Sequence, residues 1–356
     1  WKTSGSVDTH TDPALVMPER RIVLASLDTA VREEFLGQLH AGEHLLVVCD
    51  EVHHFGTASR RPFDEIEAGA RLGLSATPER WADPDGTTAI FNYFGPILEP
   101  VITLADAVQL GRLCQYHYYP QQLPLTQDEE DEWNDLTKKI RRLAARDRST
   151  SGEQASDALS NLIYKRAEIA KGAALKTPLA AEIIEREFQA GQHWLAYCGN
   201  SEQVDDLVRR LREANLPAKA YWSEMAGDRE TTLTRFASDG GILVAIKCLD
   251  EGIDIPKISH GIVLASTQNP REFIQRRGRL LRQSAGKSHA TIYDLFVVPP
   301  SRANENLDSL VAAELRRCEE FAASAANESC RIFVETLMAE WGVGSGLESQ
   351  EQEDHD

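Results

Sequence analysis

Two stretches of this 356-residue sequence combine charged side chains at spacings suited to phosphate chemistry. In the first, the apolar run Leu45-Leu46-Val47-Val48-Cys49 ends in Asp50-Glu51-Val52-His53. Parallel sheets present ligand chemistry at the carboxyl ends of their strands. Two adjacent carboxylates there repel each other unless a cation or a positioned water uses them. Asp50 is therefore read as a Mg²⁺ ligand acting through water, and Glu51 as the group that orients and deprotonates an attacking water. A strand closing in a solvated acidic turn accounts for the pair equally well. In the second stretch, Gln275-Arg276-Arg277-Gly278-Arg279-Leu280-Leu281-Arg282 follows Asn269-Pro270, a helix start with proline in its first turn. Arg276, Arg279 and Arg282 recur every three residues and are expected on one helical face, where guanidinium groups match phosphate oxygens in pairs. Gly278 is expected to let the chain pack closely against a neighbour. The alternative is a basic patch that grips a nucleic-acid backbone or the acids of a partner.

Two further motifs accompany these. Leu74-Ser75-Ala76-Thr77-Pro78 closes another strand-like run 25 residues after Asp50. Its small hydroxyl residues suit a hinge that hydrogen-bonds differently in two states. Leu249-Asp250-Glu251-Gly252-Ile253-Asp254-Ile255-Pro256 follows the run Ile242–Ile246, and its plain reading is a glycine turn from strand to loop. The six cysteines are scattered without C-x-x-C spacing, which argues against structural zinc and fits thiols in a reducing cytoplasm. His53 and His54 are adjacent and lack a third ligand, so they make a poor metal pair.

Short apolar runs alternating with helical patterns predict an α/β chain with parallel sheets. In the first region, about 20–103, the expected strands are Arg21–Ala25, Leu45–Cys49 and Arg71–Ser75. In the second, about 175–298, they are Trp194–Cys198, Ala218–Trp222, Ile242–Ile246, Gly261–Ala265 and Ala290–Phe296. Continuous apolar strands such as 45–49 are expected where helices cover both faces. Gln127–Arg148 and Ser156–Lys171 carry Trp133, Leu136, Ile140 and Leu143 at helical spacing, with a polar break at Arg148–Gln154. A final helical region, Asn304–Trp341, offers Leu307, Leu310, Leu315, Phe321 and Phe333 as core positions. The length predicts two domains. The expected division is 1–103 and 175–298 for the domains, 104–174 for a linker and helical insertion, 299–345 for a helical extension and 346–356 for an acidic disordered tail. Apolar residues make up 42% and form no run of about 18, so no membrane span is expected. The net charge of −18 argues against a protein that coats nucleic acid generally, yet leaves room for a local groove.

Together these motifs resemble superfamily 2 helicases of the DEAD/DEAH (DExH) type. Asp50-Glu51-Val52-His53 resembles the Walker B box, Ser75-Ala76-Thr77 motif III, residues 249–256 motif V and residues 275–282 motif VI. The resemblance covers roughly residues 20–298 and is closest to the type III restriction motor subunit and XPB-like translocases. It implies two tandem RecA-like (P-loop NTPase type) domains that bind ATP·Mg²⁺ in a cleft and move along nucleic acid, DNA foremost with RNA left open. Arg279 and Arg282 are then arginine fingers, Gly252, Asp254, Gln275 and Arg276 contact the nucleotide, and His53, Ser75 and Thr77 couple hydrolysis to movement. Weaker likenesses cover Trp194–Asn200 (motif IV), Ser26 in a motif Ib-like run, and Ser223 in a nucleic-acid-facing element. A restriction or phage-defence motor with a nuclease or methyltransferase partner is the first alternative, and a non-hydrolysing nucleic-acid-binding scaffold the second. The only Gly-Lys-Ser, Gly286-Lys287-Ser288, lacks the first glycine of a P-loop and precedes a strand, so it reads as a surface turn. The phosphate-binding loop is expected before Trp1, and the chain alone is expected to hydrolyse ATP poorly.

Overall fold

Gly42–Asp50 (β1) and Ala68–Leu74 (β2) pair in parallel, with Asp50 opposite Leu74. The computed structural model describes residues 7–13, 21–57, 63, 65–75, 77–80, 83–149, 157–222, 225, 227–246, 255–265, 278–298 and 309–345. Both strands lie in the first of two units, residues 1–101, with helices Val7–Thr11 (α1), Leu27–Ala30 (α2), Glu33–Leu36 (α3) and Pro84–Phe94 (α4). Its core gathers Phe35, Cys49, Val52, Phe55, Ile66, Ile90 and Tyr93. Side chains alternate along a strand. Cys49 therefore points inward, while Leu46 and Val48 are 63% and 53% exposed. Cover on both faces of β1 was expected from its unbroken apolar run, but the described residues cover one. Residues 21–26, expected to include a strand, are irregular. Ile22 and Leu24 are exposed there, and no described strand pairs with them.

The second unit, residues 102–356, holds a six-stranded sheet. Its strands are Gln115–Leu123 (β3), His193–Cys198 (β4), Ala218–Tyr221 (β5), Gly241–Ile246 (β6), His260–Val263 (β7) and His289–Val297 (β8). They run parallel in the order β3-β8-β7-β4-β6-β5. Five match expected strands. The sixth, β3, comes from residues read as linker. Its sequence Gln-Tyr-His-Tyr-Tyr-Pro-Gln-Gln-Leu has no apolar run, yet Tyr116 and Tyr118 are fully buried. Pro120 is tolerated because β3 is an edge strand.

Helices cover both faces of this sheet, as a parallel sheet requires. They are Leu104–Gln109 (α5), Gln127–Ser149 (α6), Asp157–Gly172 (α7), Lys176–Glu187 (α8), Ser201–Glu213 (α9), Arg229–Asp239 (α10), Ser309–Ala323 (α11) and Glu328–Trp341 (α12). Trp194, Ala196, Val244 and Leu295 face α8 and α9 through Ile183, Ile184, Leu207 and Leu211. Leu195, Tyr197, Leu243 and Phe296 face the other way, in one core with Leu315, Phe321, Val334 and Leu337 of α11 and α12. The single C-terminal helical region expected is thus two helices. Phe333, expected in the core, is 40% exposed, because Val334, Leu337 and Met338 form the inner stripe of α12. Leu307 and the Leu310 side chain lie outside the described residues, as do 150–156 and the acidic tail.

The helical pair is bound to the sheet by polar contacts as well. The Asn327 side chain accepts from Tyr118 N–H and donates to Tyr118 C=O, both at 2.8 Å, and Ala326 N–H donates to Tyr116 C=O at 2.8 Å. These contacts occupy the outer edge of β3, which would otherwise be open to pairing. Beneath, the buried Arg317 guanidinium donates to Asp294 of β8 and to Glu314 Oε2 (2.9 Å), while Tyr118 Oη donates to Asp294 Oδ2 at 2.8 Å. Burial opposes the Arg317 charge, but Asp294 and Glu314 outweigh it and hold the guanidinium firmly protonated.

Candidate active site

The register of β1 and β2 brings the acidic pair and the hydroxyl hinge to adjacent strand ends, because Asp50 lies opposite Leu74 and Ser75 follows. Asp50 is exposed at the strand end, and its Oδ1 accepts from Glu51 N–H at 2.9 Å. Glu51 takes a left-handed backbone (φ 49°, ψ 50°) that ends β1 and starts the 3₁₀ turn Val52–His54. A non-glycine residue there costs on the order of 1 kcal/mol. The turn puts the buried His53 ring between two functional groups. Its Nδ1 lies 3.3 Å from Glu51 Oε2 and 3.1 Å from Ser75 Oγ. A proton on that nitrogen would have the carboxylate and the hydroxyl both within reach. Ser75 Oγ also accepts from Thr77 N–H at 3.2 Å, so the relay runs Glu51, His53, Ser75, Thr77. The expected contact of His53 with the Ser75 segment is present, and the His54 ring lies tilted against that of His53, with centroids 4.1 Å apart.

Sequence reasoning missed Arg80. Its guanidinium donates to the His53 carbonyl and, through Nε, to Asp83 Oδ2 at 2.6 Å. Asp83 also caps α4 by accepting from Gly86 N–H at 2.9 Å. The Arg80 hydrogen bond, helped by Gly86, holds the Asp83 carboxyl below its usual range. Arg80 thus anchors the turn that presents Glu51. An arginine in a loop has no periodicity, so no spacing announced it.

Ser26, expected at a phosphate, is the N-cap of α2 in this structure. Its Oγ accepts from Thr29 N–H at 3.3 Å and lies 2.8 Å from Thr29 Oγ1. In the second unit Asn200 likewise caps α9, accepting from Gln203 N–H at 2.9 Å.

The arginine cluster is described only from residue 278. Gly252, Asp254, Gln275, Arg276 and Ser223 lie outside the described residues. In sequence the first four follow the carboxyl ends of β6 and β7, strands that lie on either side of β4. Residues 278–280 are helical, so Arg279 lies on the helix, half-buried. Arg282 is past its end and pairs with Leu113 as an antiparallel bridge. The expectation of one shared helical face therefore fails at Arg282. Cys114 N–H, donating to Leu281 C=O at 2.8 Å, draws the chain out of the helix there. Gly278 would meet no described atom within 4 Å if it carried a Cβ. Packing against this helix requires Gly261 in β7, where a Cβ would fall 2.4 Å from Leu280 Cδ1. Leu280 lies against bare backbone and seats the helix on the sheet.

Residues 176–284 match the helicase conserved C-terminal domain, and residues 8–80 match the type III restriction enzyme, res subunit. The DNA 3'-5' translocase XPB2 of Sulfurisphaera tokodaii is 27% identical over 289 residues, covering 74% of this chain and 60% of that protein. A protein of Acanthamoeba polyphaga mimivirus, whose name assigns it to the ATP-dependent RNA helicases, is 23% identical over 71% of this chain and 43% of its own length. The chain therefore spans about half the length of these relatives. Among solved structures, the ATP-dependent Type ISP restriction-modification enzyme LlaBIII bound to DNA shares the fold, with a TM-score of 0.51 at 14% identity over 83% of this chain and 21% of that one.

Proposed function

We propose that this chain belongs to superfamily 2 of the helicases and that the intact protein is an ATP-driven translocase that couples hydrolysis to movement along DNA. The observation that carries the reading is the relay from Glu51 through His53 to Ser75 and Thr77. A solvated acidic turn has no need of it. A motor does, because loss of the γ-phosphate must be felt by the element that grips the track. Asp50 offers an exposed hard oxygen donor at a strand end, which fits Mg²⁺. That ion neutralises phosphate charge when bound. Glu51 orients the attacking water and takes its proton. Arg279 and Arg282 meet the γ-phosphate, and Gly252, Asp254, Gln275 and Arg276 complete the nucleotide contacts. Ser26 and Ser223 touch DNA phosphates, so sequence preference is weak.

DNA is preferred as the track because the translocase relative carries it in its name, and a cytoplasmic location belongs to the same reading. A second reading, the motor of a restriction or defence complex with a nuclease or methyltransferase partner, draws support from the match of residues 8–80 to the restriction subunit. Glu51→Gln in the intact protein tests the core claim. DNA-stimulated ATP hydrolysis is expected to fall by about 10²–10⁴-fold, the usual contribution of a general base, with DNA binding retained. Unchanged turnover refutes the assignment. Stimulation by RNA alone moves the track to RNA, and DNA binding without any turnover in the parent protein leaves only a scaffold.

A further inference from the structure

Gly286-Lys287-Ser288 has no part in the mechanism above, but Lys287 is far from idle. Residues 284–287 form a tight turn in which Lys287 N–H donates to Ser284 C=O at 3.0 Å. Gly286 sits at its third position with φ +82°, a conformation that glycine supplies without strain. The turn folds the lysine back, and Nζ donates to the carbonyls of Leu280, Arg282 (2.9 Å) and Pro256 (3.3 Å). An ammonium has three N–H bonds, and backbone oxygens accept all three. Burial pulls this ammonium below its usual range, with Cys114 opposing. A charge withdrawn from water in this way persists because its donors are met.

The three acceptors are not scattered along the chain. Pro256 stands where the chain returns from 247–254, the stretch with Gly252 and Asp254. Leu280 and Arg282 stand where it returns from 266–277, next to Arg279. We propose that Lys287 is a positioning residue, whose ammonium fastens the chain where it returns from 247–254 and from 266–277 and so fixes the backbone from which Arg279 projects. The proposal rests on the reading of that arginine given above.

Two measurements test it. In Lys287→Met, which keeps the length and removes charge and donors, amide hydrogen exchange across 278–284 should quicken at least tenfold, while β4 and β6 keep their protection. Unchanged exchange there overturns the tether. In the intact protein, DNA-stimulated ATP hydrolysis is compared for Lys287→Met, Arg279→Ala and the double variant. Lys287→Met should lower kcat tenfold or more with KM within threefold, and the double variant should be no slower than Arg279→Ala alone. Losses that multiply show that the lysine does not act through Arg279, and the proposal fails. A fully active Arg279→Ala topples the reading of the arginine itself, whatever the exchange shows. Should Lys287→Met unfold, Lys287→Gln, which keeps two N–H donors, carries the same comparisons.

Discussion

Glu51 shows how little of a site's geometry its motif contains. The Asp-Glu-x-His string was legible as paired carboxylates at a strand end, and β1 does end there. The left-handed backbone that swings the Glu51 carboxylate toward His53 was not legible, because glutamate has no preference for it. Arg80 and Lys287 were equally hidden. Each acts on backbone carbonyls, and carbonyls leave no mark on a sequence. His260 yields a pH prediction at this scale. It stacks on Trp194 at 4.5 Å, and burial pushes its imidazole down to about 4, against a pull from Glu187. Between its unfolded value near 6.5 and about 4, the unfolded chain binds the extra proton, so stability falls as pH falls through that window. His260→Gln should flatten that limb by an amount on the order of 2 kcal/mol. Urea unfolding at pH 7 and pH 4.5 reads it, and an equal acid loss in both proteins removes His260 as the cause.

Among the elements, strands with apolar runs were legible and the tyrosine-rich β3 was not. An edge strand buries only alternate residues, and in β3 these are tyrosines whose hydroxyls need partners: Tyr116 donates to Phe321 C=O at 2.6 Å and Tyr118 to Asp294. The partners sit up to 205 residues away in sequence, beyond any window of periodicity. The buried pair between α11 and β8 was hidden too, since its partners stand 23 residues apart on different elements. Removing one partner of such a pair strands the other charge in a dry site and costs about 3–5 kcal/mol, whereas removing both costs far less than the sum. Asp294→Ala and Arg317→Met are each expected to lose that much in denaturant unfolding, and Asp294→Ala/Arg317→Met less than their total. Additive losses would mean that the pair contributes nothing jointly.

For the whole molecule, the family was legible because its motifs lie in order along the chain, even though the net charge of −18 is unlike that of most nucleic-acid binders. What motifs could not mark is where the second unit stops. The family match ends at residue 284, yet β8 follows and lies between β3 and β7. A polypeptide spanning 102–298 retains all six strands but loses α11 and α12, exposing one core face and leaving Asp294 without its guanidinium. It is expected to show no cooperative thermal transition by circular dichroism, while 102–345 shows one; a cooperatively melting 102–298 would make the helical pair dispensable. The consequence reaches past the test tube. A gene fusion that passes the second unit to a new host protein is expected to work only if its junction falls after Trp341, some sixty codons downstream of the last recognisable signature, so that the helices travel with the strands they complete.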